Sequence, residues 1–116
     1  MRELIVELCQ HFYQIGWCTG TGGGISIRDG EKVYMAPSGV QKERIQADNI
    51  FVVDRAGNVL EPPVDEGLKL TACAPLFLAA MNERDAGAVL HSHSIDAAAI
   101  TKLYPDAFRI SEVEMI

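Results

Sequence analysis

The order of apolar and polar positions divides this chain into segments of different period. Leu4, Leu8, His11 and Ile15 recur at helical spacing, and Ile5 and Phe12 widen the stripe, which predicts an amphipathic helix over residues 2–15 stopped by Gly16. Beyond it the period drops to two. "ISIR" and "VYMA" alternate about "DGEK" and predict a hairpin turning at Asp29–Gly30. "NIFVVD" and "NVLEP" flank "RAG" and predict a second hairpin, after which Pro62–Pro63 opens a loop through "VDEGLKL". "TACAPLFLAAMNERD" reads as a helix with Thr71 near its start, because Pro75 is tolerated only in a first turn. "GAVLHSH" then reads as a buried strand, "SIDAAAITKLY" as a short helix and "FRISEVEMI" as a final strand. Mixed helices and hairpins predict an α/β chain with antiparallel pairing.

Composition narrows the class. A chain of 116 residues, 48% of them hydrophobic, is expected to close around one core as a single domain. Its formal net charge of -6 argues against a nucleic-acid partner, which needs a cationic face to displace counterions from phosphates. A small phosphorylated ligand stays open, since backbone amides and one or two local cations can hold a phosphate. Cys9, Cys18 and Cys73 contain no CxxC pair and leave an odd count, so no disulfide framework is expected. The acid-bearing N-terminus lacks the apolar core of a secretion signal, and no apolar run is long enough to span a bilayer. A cytoplasmic protein away from membranes is the expectation.

Two constellations carry chemistry. In an extended strand, residues two apart share a face with Cα atoms ~6–7 Å apart, so His91 and His93 can converge on one metal ion. Spacing alone leaves open a hydrogen-bonded histidine pair, because two ligands do not complete a zinc shell. "GTGGGIS", residues 20–26, offers successive small residues whose amides can turn toward an anion, although taken alone a plain glycine turn explains it better. "APSGVQKERI" adds a Ser38–Gly39 step with Lys42 and Arg44 nearby; together the two loops can clamp a phosphate. Cys73 falls in the first turn of a predicted helix, where the dipole favours a thiolate, or it is a small buried hydrophobe. Glu114 lies among apolar neighbours, suited to proton transfer if half-buried and merely solvated if on an edge.

Taken in order, "GWCTGTGGGISIR", "YMAPSGVQKERI", "CAPLFLAA", "GAVLHSHS" and "EVEMI" resemble the methylthioribulose-1-phosphate dehydratases, a family within the class II aldolase and adducin-head superfamily. The resemblance implies an α/β/α domain with a central, mainly antiparallel sheet. It implies a hydro-lyase of methionine salvage, assembled as a homotetramer, that converts a small phosphorylated sugar, 5-methylthioribulose 1-phosphate, to a diketo phosphate. By the same resemblance His91 and His93 are two of three Zn²⁺ ligands and Glu114 is the general acid/base. Gly23, Gly24, Ser38 and Gly39 fall where the superfamily holds the substrate phosphate, and Cys73 contacts substrate. The family's domain continues past Ile116 and carries its third zinc histidine there. Residues 1–116 are therefore expected to be the N-terminal part of one domain, incomplete at its C-terminal end. Aldol cleavage of a sugar phosphate is the alternative within the superfamily, and a cysteine at position 73, where related aldolases place a glutamate, weighs against it. A non-catalytic interaction module is the other alternative, because mammalian members are also associated with inhibition of cell-death signalling.

Overall fold

The computed structural model describes residues 1–111. Helix α1, Arg2–Gln14, leads through a glycine-rich loop into strand β1, Gly24–Asp29, which turns into β2, Lys32–Met35. A two-residue strand β3, Pro37–Ser38, follows, then two single turns of 3-10 helix at Lys42–Arg44 and Ala47–Asn49. Strands β4, Phe51–Val53, and β5, Val59–Glu61, form the second hairpin. Strand β6, Lys69–Leu70, precedes helix α2, Ala74–Glu83; strand β7, Ala88–His91, and helix α3, Ile95–Leu103, complete the elements.

Five strands form one sheet in the order β5-β4-β2-β1-β7, and every pairing is antiparallel. The first hairpin closes through Gly30–Glu31, with Asp29 opposite Lys32 and Gly30 at φ +60°, a conformation that a side chain would resist. Register sorts the side chains onto two faces. Ile25 and Ile27 pack with Ile5, Cys9 and Phe12 of α1, while Val33, Met35, Phe51 and Val53 pack with Ala74, Phe77 and Met81 of α2. Sheet and helices thus form the three layers that the α/β/α expectation requires. Burying a side chain such as Ile5 or Phe12 contributes roughly 1.5–3 kcal/mol, so each layer contact is a main source of stability.

Several expectations need correction. The buried stripe of α1 is Ile5, Cys9 and Phe12, whereas Leu4, His11 and Ile15 are exposed; the cysteine extends the Ile5–Phe12 face around the helix. The loop after Pro62–Pro63 contains β6, which pairs with β3 through Pro37–Leu70 and Ser38–Lys69. "GAVLHSH" is not a buried strand. Among the described residues β7 pairs only with β1, and Ala88 and Leu90 share the Ile25–Ile27 face but are exposed, because α1 covers that face mainly over β1. Nor does β7 reach His93, which lies two residues past its end. Helix α3 buries no residue: Ile95 and Leu103 expose 78% and 72% of their surface. The final strand is absent over Phe108–Ser111, and its remainder, Glu114 included, lies outside the described residues.

Candidate functional site

The site forms where three chain segments meet at one end of the β1–β7 pair. His91 is the last residue of β7 and sits opposite Gly24 at the start of β1. That register places His91 on the α2 side of the sheet, and there its Nδ1 lies 3.2 Å from Sγ of Cys73, the N-cap residue of α2. Thr71 fixes the cap: its Oγ1 accepts a 3.2 Å hydrogen bond from the Cys73 amide, and Pro75 occupies the first turn, where a missing N–H is harmless. His93 turns back toward His91 although it has left the strand. The two rings meet edge to face with centroids 4.7 Å apart.

The glycine-rich segment is bound to the histidine segment through its backbone. The His93 amide donates to the Trp17 carbonyl at 2.7 Å, and Gly22 donates to Thr19 at 2.9 Å, closing a tight turn. Contact limits position 22 to glycine, and contact and conformation together limit position 23. A Cβ on Gly22 would overlap the His93 imidazole; one on Gly23, at φ +77°, would meet Cys18 Sγ at 2.7 Å and the His91 and Trp17 carbonyls at 3.0 Å. Beneath the loop, Cys9 and Cys18 are buried. Burial pushes the Cys9 thiol up to about 11 and raises that of Cys18 as well, so both stay protonated and inert.

A cavity of about 200 Å³ is lined by Gly22, Gly23, Ser38, Cys73, His91 and His93, together with Thr21, Pro37, Lys42, Thr71 and Ala72. It brings together most of the residues singled out by sequence. Gly24 lies behind the wall, its α-carbon turned toward the Lys42 stem, and Gly39 is outside the lining although next to Ser38. Arg44 points away, exposed and 3.8 Å from Glu43. The sequence offered Thr21 only as part of "GTGGGIS" and Thr71 only as a helix start; a threonine two residues before the Cys73 cap is the signal that marks the second as part of the site.

Chemically, the cavity joins two imidazoles and a thiol to a wall of small residues that leaves backbone accessible. Two nitrogen donors so placed suit a borderline-soft divalent ion such as zinc. Among the described residues no group of three or more His, Cys, Asp and Glu side chains is placed to hold a metal ion. His91 and His93 thus fit zinc as part of a ligand set.

Comparison with known proteins accords with this architecture. The class II aldolase and adducin N-terminal domain matches residues 3–115, and the chain belongs to that family. It is 57% identical over 115 residues to a methylthioribulose-1-phosphate dehydratase of Komagataella phaffii, covering 98% of this chain and 47% of that protein. It is 54% identical over 117 residues to the dehydratase of Aquarana catesbeiana, covering 99% and 49%. The chain spans about half the length of the curated relatives it matches. Among solved structures, an L-fuculose 1-phosphate aldolase superposes with a TM-score of 0.78 at 24% identity, covering 88% of this chain and 48% of the other. The corresponding aldolase of Thermus thermophilus gives 0.75 at 22% identity, covering 98% and 59%. These likenesses establish the class II aldolase fold.

Proposed function

We propose that the chain serves a zinc-dependent hydro-lyase of methionine salvage that removes water from 5-methylthioribulose 1-phosphate, giving 2,3-diketo-5-methylthiopentyl 1-phosphate. The observation that carries the reading is one cavity in which His91, His93 and Cys73 face the glycine loop and Ser38. Relatives more than half identical, named for this reaction, supply the substrate.

His91 and His93 would hold the zinc, which when bound acts as a Lewis acid toward the substrate's oxygens. Gly22, Gly23 and Ser38, which line the cavity, hold the phosphate, so that binding far from the reacting carbons fixes orientation. Cys73 shapes the pocket beside the sugar chain. Glu114 takes the proton from C3 and returns one to the hydroxyl leaving C4; the enol so formed tautomerises to the diketone. The working protein is a cytoplasmic homo-oligomer, a tetramer.

The test is a joint measurement of bound zinc and of turnover with 5-methylthioribulose 1-phosphate. The reading expects diketone formation, lost together with stoichiometric zinc when His91 and His93 are both changed to alanine. Appearance of dihydroxyacetone phosphate and a two-carbon methylthio aldehyde would assign aldol cleavage instead. Full zinc in the double variant would remove the histidines from the metal site.

A further inference from the structure

We infer that Lys42 is the cation that receives the phosphate of the substrate, and that its ammonium fastens together the two loops that form the anion subsite. The inference deepens the proposed function and rests on its placement of a phosphate in this cavity.

Lysine ordinarily keeps its ammonium in water, yet Lys42 is only 3% exposed, the single buried charged residue among those described. Its Nζ donates to the Thr21 carbonyl at 2.9 Å and to the Val40 carbonyl at 3.0 Å. Thr21 belongs to the glycine loop and Val40 directly follows the Ser38–Gly39 step. One ammonium therefore spans both segments, and the chain path between them, through the β1–β2 hairpin, is otherwise long.

Both acceptors are neutral. Among the described residues no carboxylate lies within ion-pair distance of Lys42, while Arg2, Arg28, Lys32 and Arg44 each have one. Neighbouring Glu43 turns instead to Arg44. A buried charge without a counter-ion is costly, and burial accordingly holds the Lys42 ammonium below its usual range. A loop clip alone does not require this charge, because a neutral donor can bond two carbonyls with far less desolvation.

The position supplies the reason for a charge. Lys42 lines the same cavity as Ser38, Gly22, Gly23 and the histidine pair. An ammonium has three donors, and the two carbonyls engage two of them. A phosphate oxygen in the cavity would accept from the third and provide the missing negative charge.

Three proteins with verified native circular dichroism test this: the wild-type chain, Lys42→Met and Ser38→Ala, titrated calorimetrically with inorganic phosphate at low ionic strength. Lys42→Met keeps the stem and removes the charge. It should weaken phosphate binding roughly 10–100-fold, the worth of one charge-assisted hydrogen bond in a dry site. Ser38→Ala should weaken it by a smaller factor. If Ser38→Ala weakens binding and Lys42→Met leaves it unchanged, the cavity holds the phosphate but Lys42 is only a clip, and the inference is overturned alone. Unchanged binding in both variants, or none in the wild type, overturns the placement of phosphate in this cavity and the inference with it. Should Lys42→Met not fold, the wild-type protein still decides. The ¹H–¹⁵N resonance of the Lys42 ammonium should move when phosphate is added; a resonance that stays in place at phosphate saturation refutes contact.

Discussion

Cys73 Sγ stands 3.2 Å from Nδ1 of His91, joining the N-cap of one helix to the last residue of an edge strand. Eighteen positions separate them in the chain. The pair makes the thiol and the imidazole parts of one wall, and it sets Cys73 apart from the other two cysteines.

Reactivity should follow that difference. Cys73 is partly exposed at the cavity, while Cys9 and Cys18 are buried with raised thiols. Iodoacetamide at pH 8, read by peptide mass spectrometry, should label Cys73 at least ~10-fold faster than either of the others, since thiolate fraction and access both govern the rate. Equal labelling of all three in the folded chain would contradict the burial of Cys9 and Cys18.

Gly22→Ala should damage the histidine pair from across the cavity. The added methyl would occupy the place of the His93 ring, so the ring must move. Because His93 is exposed, it can swing aside at little cost, and denaturant unfolding should change by about 0.5 kcal/mol or less. Zinc affinity should fall nonetheless, because the ring leaves its place beside His91. A variant with unchanged zinc affinity would show that the ring has room to spare.

If Glu114 is the acid/base of the proposed dehydration, Glu114→Gln in a protein of family length isolates proton transfer from metal binding. Glutamine preserves size and most hydrogen bonding but cannot carry the proton, so turnover should drop by ~10²–10⁴ while bound zinc is retained. Kinetics and metal analysis on one preparation check it. A near-normal rate would take Glu114 out of the mechanism.

Alkaline pH should weaken the fold through Cys9. Its native value of about 11 lies above the ordinary 9.0, so the unfolded chain releases this proton first. The stability that depends on the neutral thiol is complete below pH 9 and is lost as pH rises toward about 11. Lys42, shifted downward, acts in the opposite sense, because its native form releases a proton before the unfolded one. Comparing Cys9→Ala with wild type isolates the thiol together with its coupling to Lys42 and Cys18. The wild type should lose about 2 kcal/mol more between those limits, read by urea unfolding at stepped pH. Parallel pH profiles would exclude the thiol as the source.

The sequence carried the hairpins, helix α2 and the approach of His91 to His93 because each depends on local period or on neighbours in the chain. The convergence of the histidines survived even though its premise, a strand running through both, did not: β7 stops at His91, and the Trp17 carbonyl holds the His93 amide in place of a strand partner. What lay beyond reach depends on contacts distant in sequence. Nothing near Lys42 announces that the Thr21 carbonyl will accept its hydrogen bond, and nothing near Pro37 announces that Leu70 will pair with it. The exposure of β7 was illegible for a related reason, since apolar residues report a capacity for burial and not the presence of a neighbour to bury them.

The bond from His93 to Trp17, with Gly22 against the ring and Gly23 under the His91 carbonyl, makes the glycine loop and the imidazole pair one mechanical body. Occupants of its two sides are then thermodynamically linked. If an anion seated on the loop draws the rings into a better posture for an ion, it raises that ion's affinity by some factor. The ion must raise the anion's affinity by the same factor, whichever arrives first.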